Sequence, residues 1–116
     1  MTLPPCISTV ETGSAIEDLC RLLYELYGME LICVCQTLYR QDASSFNKQV
    51  DLLTKYLNVV LEPIPYVFYW GHRGFWRCKS RFLAWDGVHL NKLGHYKYFR
   101  SLRGAVLRCI RIFSGR

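Results

Sequence analysis

Between Ser14 and Gly28, the apolar residues Ile16, Leu19, Cys20, Leu23 and Leu26 recur at helical spacing, which puts them on one stripe of an α-helix. Ser14-Ala15-Ile16-Glu17 has the form of a capping box, a hydroxyl followed three residues later by a carboxylate, so the helix is predicted to begin there. Gly28 ends it, and residues 1–13 form an irregular N-terminal segment. The pattern then changes. Leu31–Cys35 is an unbroken apolar run with β-branched members, the signature of a strand buried on both faces, as in parallel sheets. A polar loop from Tyr39 to Ser45 leads to a second helix with Phe46, Val50, Leu53, Leu57, Val60 and Leu61 on one side. Pro63 and Pro65 close that helix. Tyr66–Trp70, aromatic and β-branched, reads as a second strand.

Strand, helix and strand at this spacing make a βαβ unit, whose crossover is expected to be right-handed. After a loop from Gly71 to Trp85, a last helix is predicted to start near Asn91 or Lys92. Tyr96, Phe99, Leu102, Val106, Cys109 (or Ile110) and Phe113 would form its apolar face, and Lys97, Arg100, Arg108 and Arg111 its wet face. The fold class is therefore α/β, with helices covering a parallel sheet. At 116 residues, 51% hydrophobic and 21% charged, the chain has room for one small domain and is too apolar to be disordered. A chain of this size buries only about two-thirds of its unfolded surface, so its stability margin is thin.

No basic start followed by an apolar run marks a signal peptide, and no apolar stretch is long enough to span a membrane. The cytoplasm is the default expectation. Six cysteines occur without a C-x-x-C pair, which argues against zinc and against a disulfide framework; buried free thiols are the simpler account. Charge is uneven. Residues 1–71 hold four basic and eight acidic side chains, and residues 72–116 hold eleven basic ones and a single acid, Asp86. A basic half of this kind suits nucleic acid or another polyanion, and more commonly is a solvated face.

That lone late carboxylate lies three residues before His89, in Asp86-Gly87-Val88-His89. Histidine is the usual general base near neutral pH, and a carboxylate beside it can fix the imidazole tautomer and stabilise the imidazolium. Gly87 permits the tight turn that would bring the two together. By spacing alone, an aspartate that caps the turn beside an exposed histidine is the favoured account of the pair. Elsewhere, His72 reads as a partly exposed loop residue and His95 as part of the first turn of the last helix. Trp70, Trp76 and Trp85 read as core aromatics ahead of a ligand platform.

The run Trp85-Asp86-Gly87-Val88-His89-Leu90-Asn91, with Gly94 and then Ser101–Val106, resembles the closing block of SGNH/GDSL-type hydrolases, an Asp-x-x-His motif at the start of the final helix. It is most similar to the divergent SGNH domains of mobile-element-derived reading frames. Phe46-Asn47 with its helix resembles the helix between that family's last two strands. Tyr66 to Gly74 resembles the last strand and its exit loop, and Tyr39-Arg40 stands where such domains often carry Pro-Arg. The resemblance implies the C-terminal part of a three-layer α/β/α, flavodoxin-like fold with a truncated parallel sheet, a partial domain over residues 14–113. It implies an esterase or acyl-hydrolase chemistry that needs no metal or cofactor, with His89 as general base, Asp86 as its orienting acid and an ester or acyl compound as substrate. The family's nucleophile block, Gly-Asp-Ser, and its Gly-x-Asn oxyanion block do not occur in this sequence. None of the seven serines has a nucleophile-elbow context. A fragment inactive on its own is therefore expected, with activity only if the missing blocks are supplied. The alternative is a basic binding module for nucleic acid or another polyanion. The truncation also implies an open edge on the Leu31–Cys35 strand, through which the chain could self-associate.

Overall fold

A computed structural model of the chain describes residues 9–40, 44–75 and 81–115. The expectations for Cys6, Ser8, Trp76, Cys78 and Ser80 lie outside the described residues. The order of elements is α1 (Thr9–Tyr27), β1 (Ile32–Cys35), α2 (Ser44–Val60), β2 (Val67–Trp70) and α3 (Lys92–Ser114). The class is α/β: three helices and a two-stranded parallel sheet in which Ile32 pairs with Val67 and Cys35 with Trp70.

Alternation along each strand sends side chains to opposite faces. Ile32, Val34, Val67 and Tyr69 face one way and meet Cys20 of α1 with Leu57, Leu61 and Ile64 of the α2 region in the main hydrophobic core. Phe68 and Trp70 face the other way, towards α3. The Trp70 indole donates to Ser101 Oγ at 3.1 Å, and the Arg108 guanidinium lies 5.6 Å from the Phe68 ring centre. The sheet is thus sandwiched, with α1 and α2 on one side and α3 on the other. Asn47 ties the exit of β1 to α2: it accepts from the Arg40 backbone N–H at 2.9 Å and donates to the Arg40 carbonyl at 2.7 Å.

Three expectations need correction. The first helix starts at Thr9, five residues ahead of the Ser14 capping box, so residues 9–13 are helical rather than irregular. Gly13 explains why the helix continues inward there: it is buried so closely against Tyr56 that an added Cβ would come within 2.2 Å of the ring. Strand β1 is not buried on both faces. All four of its residues are only half-buried, because β2 is its one partner among the described residues. The last helix begins where expected, capped by Asn91, whose side chain accepts from Gly94 N–H at 2.7 Å. Its orientation differs, however. Gly94 and Ala105 are the buried positions, while Tyr96, Phe99, Val106, Ile110 and Phe113 are each more than half exposed. Relative to the expected apolar face, α3 is turned by roughly a third of a turn at 100° per residue. Size decides this. Gly94, Ser101, Gly104 and Ala105 form a small-residue face that lets the helix backbone approach the bulky aromatics of β2, and an added Cβ at Gly104 would meet the Trp70 ring at 3.0 Å.

Candidate active site

The site grows out of a short closed loop between β2 and α3. Leu83 and Leu90 form an antiparallel bridge, Ala84 N–H donates to the His89 carbonyl at 2.7 Å, and Asn91 N–H donates to the Phe82 carbonyl at 2.9 Å. Asn91 Nδ2 donates in turn to the carbonyls of Arg81 and Leu83, at 2.8 and 3.2 Å. Residues 84–89 are therefore held as a tight loop on the N-terminus of α3. Gly87 sits at φ 72°, a left-handed conformation that a residue with a Cβ adopts only at a cost.

Within this loop the two predicted site residues meet. Asp86 Oδ1 accepts from the backbone N–H groups of Val88 and His89 at 2.9 and 3.0 Å. Its other oxygen, Oδ2, lies 2.5 Å from His89 Nδ1. Turn-capping and imidazole-orienting are thus both present, one on each oxygen. The hydrogen bond from His89, with the two backbone N–H groups, holds the Asp86 carboxyl down at about 2. Asp86 is consequently ionised throughout the neutral range, an acceptor only, so Nδ1 carries the proton and Nε2 is left as the basic atom. The His89 side chain is 79% exposed, open to a reacting group.

A second pairing was not legible in the sequence. His72, expected to be a partly exposed loop residue, is only 2% exposed. Its Nδ1 lies 2.7 Å from Ser101 Oγ, its backbone N–H donates to Gln36 Oε1 at 3.0 Å, and its ring packs beside Tyr98 and Phe75. The Trp70 indole can only donate, so Ser101 Oγ accepts from it and shares a second hydrogen bond with His72 Nδ1. The other ring nitrogen, Nε2, is buried with no hydrogen-bond partner among the described residues. Burial lowers the His72 pKa. The one sequence signal was Ser101 on the small-residue face of α3.

The linked titration gives a test. The unfolded imidazole takes up a proton near its ordinary value of about 6.5, whereas the folded one resists it. Stability that is full above this value is therefore expected to fall as the pH drops towards the lowered folded value. Urea midpoints measured between about pH 7.5 and about pH 5 should decline, and His72→Gln should flatten that slope; a slope unchanged by the substitution would refute the assignment. Asp86 acts in a separate window. Its depressed value makes its contribution fade only as the pH falls below about 4.

The remaining candidates divide. Trp70 is a packed aromatic as expected, but Trp85 is 98% exposed and takes no part in the core. His95 lies in the first turn of α3 and is exposed. The expected wet face of α3 is turned partly inward: Lys97 sits over the Phe75 and Phe82 rings, at 5.9 and 4.9 Å. With Arg73, Arg81, Arg100, Arg103 and Arg108 it lines an open groove of about 1120 Å³ that has no carboxylate among the described residues, where the basic half of the chain is concentrated. On the same side of the sheet, burial and the neighbouring Cys35, 4.0 Å away, push the Cys33 thiol up to about 12, so it is an inert thiol rather than a nucleophile. Among the described residues no group of His, Cys, Asp or Glu is placed to hold a metal ion, and no helix is long and apolar enough to cross a membrane. No family model, curated protein or solved structure matches this chain.

Proposed function

We propose that this chain carries the general-base half of an SGNH/GDSL-type acyl-hydrolase site, on the C-terminal part of a flavodoxin-like fold. The observation that carries the reading is the contact of Asp86 Oδ2 with His89 Nδ1, made in a loop that follows a parallel strand and leads into the final helix. Reactive groups of open α/β sheets collect at the carboxyl ends of strands. In this role His89 Nε2 takes the proton of an attacking hydroxyl and returns it to the leaving group, while ionised Asp86 holds the ring and stabilises the imidazolium. A base without a nucleophile forms no acyl-enzyme, and the sequence contains neither a Gly-Asp-Ser nor a Gly-x-Asn block. The chain by itself is therefore not an efficient esterase. Ser101 does not fill the gap: its hydroxyl is committed to His72 and Trp70, on the helix that backs the sheet.

Two measurements test this. Nitrogen NMR should find the His89 proton on Nδ1, with Asp86→Asn weakening that preference. Hydrolysis of p-nitrophenyl acetate by the chain should show no burst of product. Joined in frame to a segment bearing the Gly-Asp-Ser and Gly-x-Asn blocks, the protein should gain an activity that His89→Ala removes. A burst from the chain alone that disappears with Ser101→Ala would move the site to the His72–Ser101 pair and refute the proposal.

A further inference from the structure

Two helices carry apolar rows that the described fold leaves in water. On α1, Ala15, Leu19, Leu22 and Leu26 follow one another at steps of four, three and four, and the three leucines are 53%, 44% and 69% exposed. On α3, Tyr96, Phe99, Val106 and Ile110 are 62%, 65%, 57% and 55% exposed, and Arg103 fills the vacant step between Phe99 and Val106. Alternating steps of three and four mark helices that pack lengthwise against another helix. Contiguous apolar surface of this kind is uncommon on a monomer.

The two rows have opposite charge. Glu11, Asp18 and Glu25, each seven residues from the next, run along one edge of the α1 row, where a heptad places the residues that choose a partner. The only basic side chain on α1, Arg21, is already bonded to Glu17. Helix α3 has no acidic residue in its whole length; Arg100 edges its row and Arg103 lies within it. The helices pack on opposite faces of the sheet, so the rows do not meet within one molecule. A polyanion would satisfy the arginines and leave the leucines of α1 wet. An anionic membrane would repel the acidic edge of α1. A second copy of the chain presents both complements.

We infer that the chain self-associates, with the acidic leucine row of α1 from one copy lying along the basic row of α3 from another. Each copy offers one row of each kind, so reciprocal contacts close a pair and non-reciprocal contacts extend a filament. The inference stands on these surfaces alone and is independent of the role of His89.

Sedimentation velocity on the intact chain tests it. The native protein should associate as its concentration rises, and less so in high salt, which screens exposed charges. Asp18→Lys with Glu25→Lys makes both rows basic, and Arg100→Glu with Arg103→Glu makes both acidic; each double variant alone should sediment as a monomer. Mixed in equal amounts they should associate again, because the basic α1 of one meets the acidic α3 of the other. All four positions are exposed, and circular dichroism reports whether each variant is folded. A native chain that stays monomeric, double variants that associate alone as the native chain does, or a mixture that fails to associate would each overturn the inference.

Discussion

Replacing Gly94 by alanine is expected to be the most damaging single-methyl addition in the chain. The new Cβ would lie 2.1 Å from the Phe82 carbonyl oxygen, 3.0 Å from its carbon and 3.1 Å from Leu90 Cδ2. The first two are backbone atoms, which cannot swing aside. The obstructed carbonyl also accepts from Asn91 N–H, so relief by movement would open the loop that carries Asp86 and His89 and disturb the N-cap of α3. Overpacking of a filled site costs about 1–3 kcal/mol, and more when backbone is in the way; a loss of about 3 kcal/mol or greater is expected here. Urea unfolding measures it directly. NMR should also show the Nδ1 hydrogen bond of His89 weakened although residue 94 touches neither partner. An alanine variant as stable as the native chain would mean that α3 does not sit this close to the loop.

Leu57→Ala should cost about as much by the opposite route. Leu57 is 2% exposed and packs in the cluster with Cys20, Leu61, Ile64 and Val67. It joins α1, α2 and β2, so the elements around a cavity there are tied to one another and collapse poorly. Such truncations cost about 2.7–5.0 kcal/mol, out of a total of about 5–15 kcal/mol for a natural domain. The urea midpoint should drop sharply with little change in slope. Leu52→Ala on the exposed side of the same helix is the control, since Leu52 is 51% exposed and its truncation should shift the midpoint little. Equal losses at the two positions would place the core elsewhere.

The order of elements was legible because local signals agreed with the packing. Proline after α2, the asparagine cap before α3 and the two β-branched runs each act on their own segment. The rotation of α3 was not legible, and neither was the full extent of α1. A periodic row shows that a helix has an apolar side, but it does not show that another element covers that side. In α3 the closest approach is made by Gly94, Ser101, Gly104 and Ala105, residues that score as neutral in any apolar pattern. The same blindness hid His72. Its burial comes from a loop folding over Ser101 and Tyr98, twenty-nine and twenty-six positions away. The Asp86–His89 pair could be read because the turn joining its members is only four residues long and Gly87 permits it. The expected burial of β1 on both faces failed for a nonlocal reason as well: an apolar strand in sequence says nothing about how many neighbours it finds.

The two oxygens of Asp86 carry unequal structural duties. Oδ2 serves only the imidazole, but Oδ1 closes the loop through Val88 and His89 whether or not anything is ever hydrolysed. Discarding the aspartate would cost loop geometry even in a molecule that performs no hydrolysis at all. Asp86 therefore has a structural reason to stand where it does that is separate from any turnover at His89.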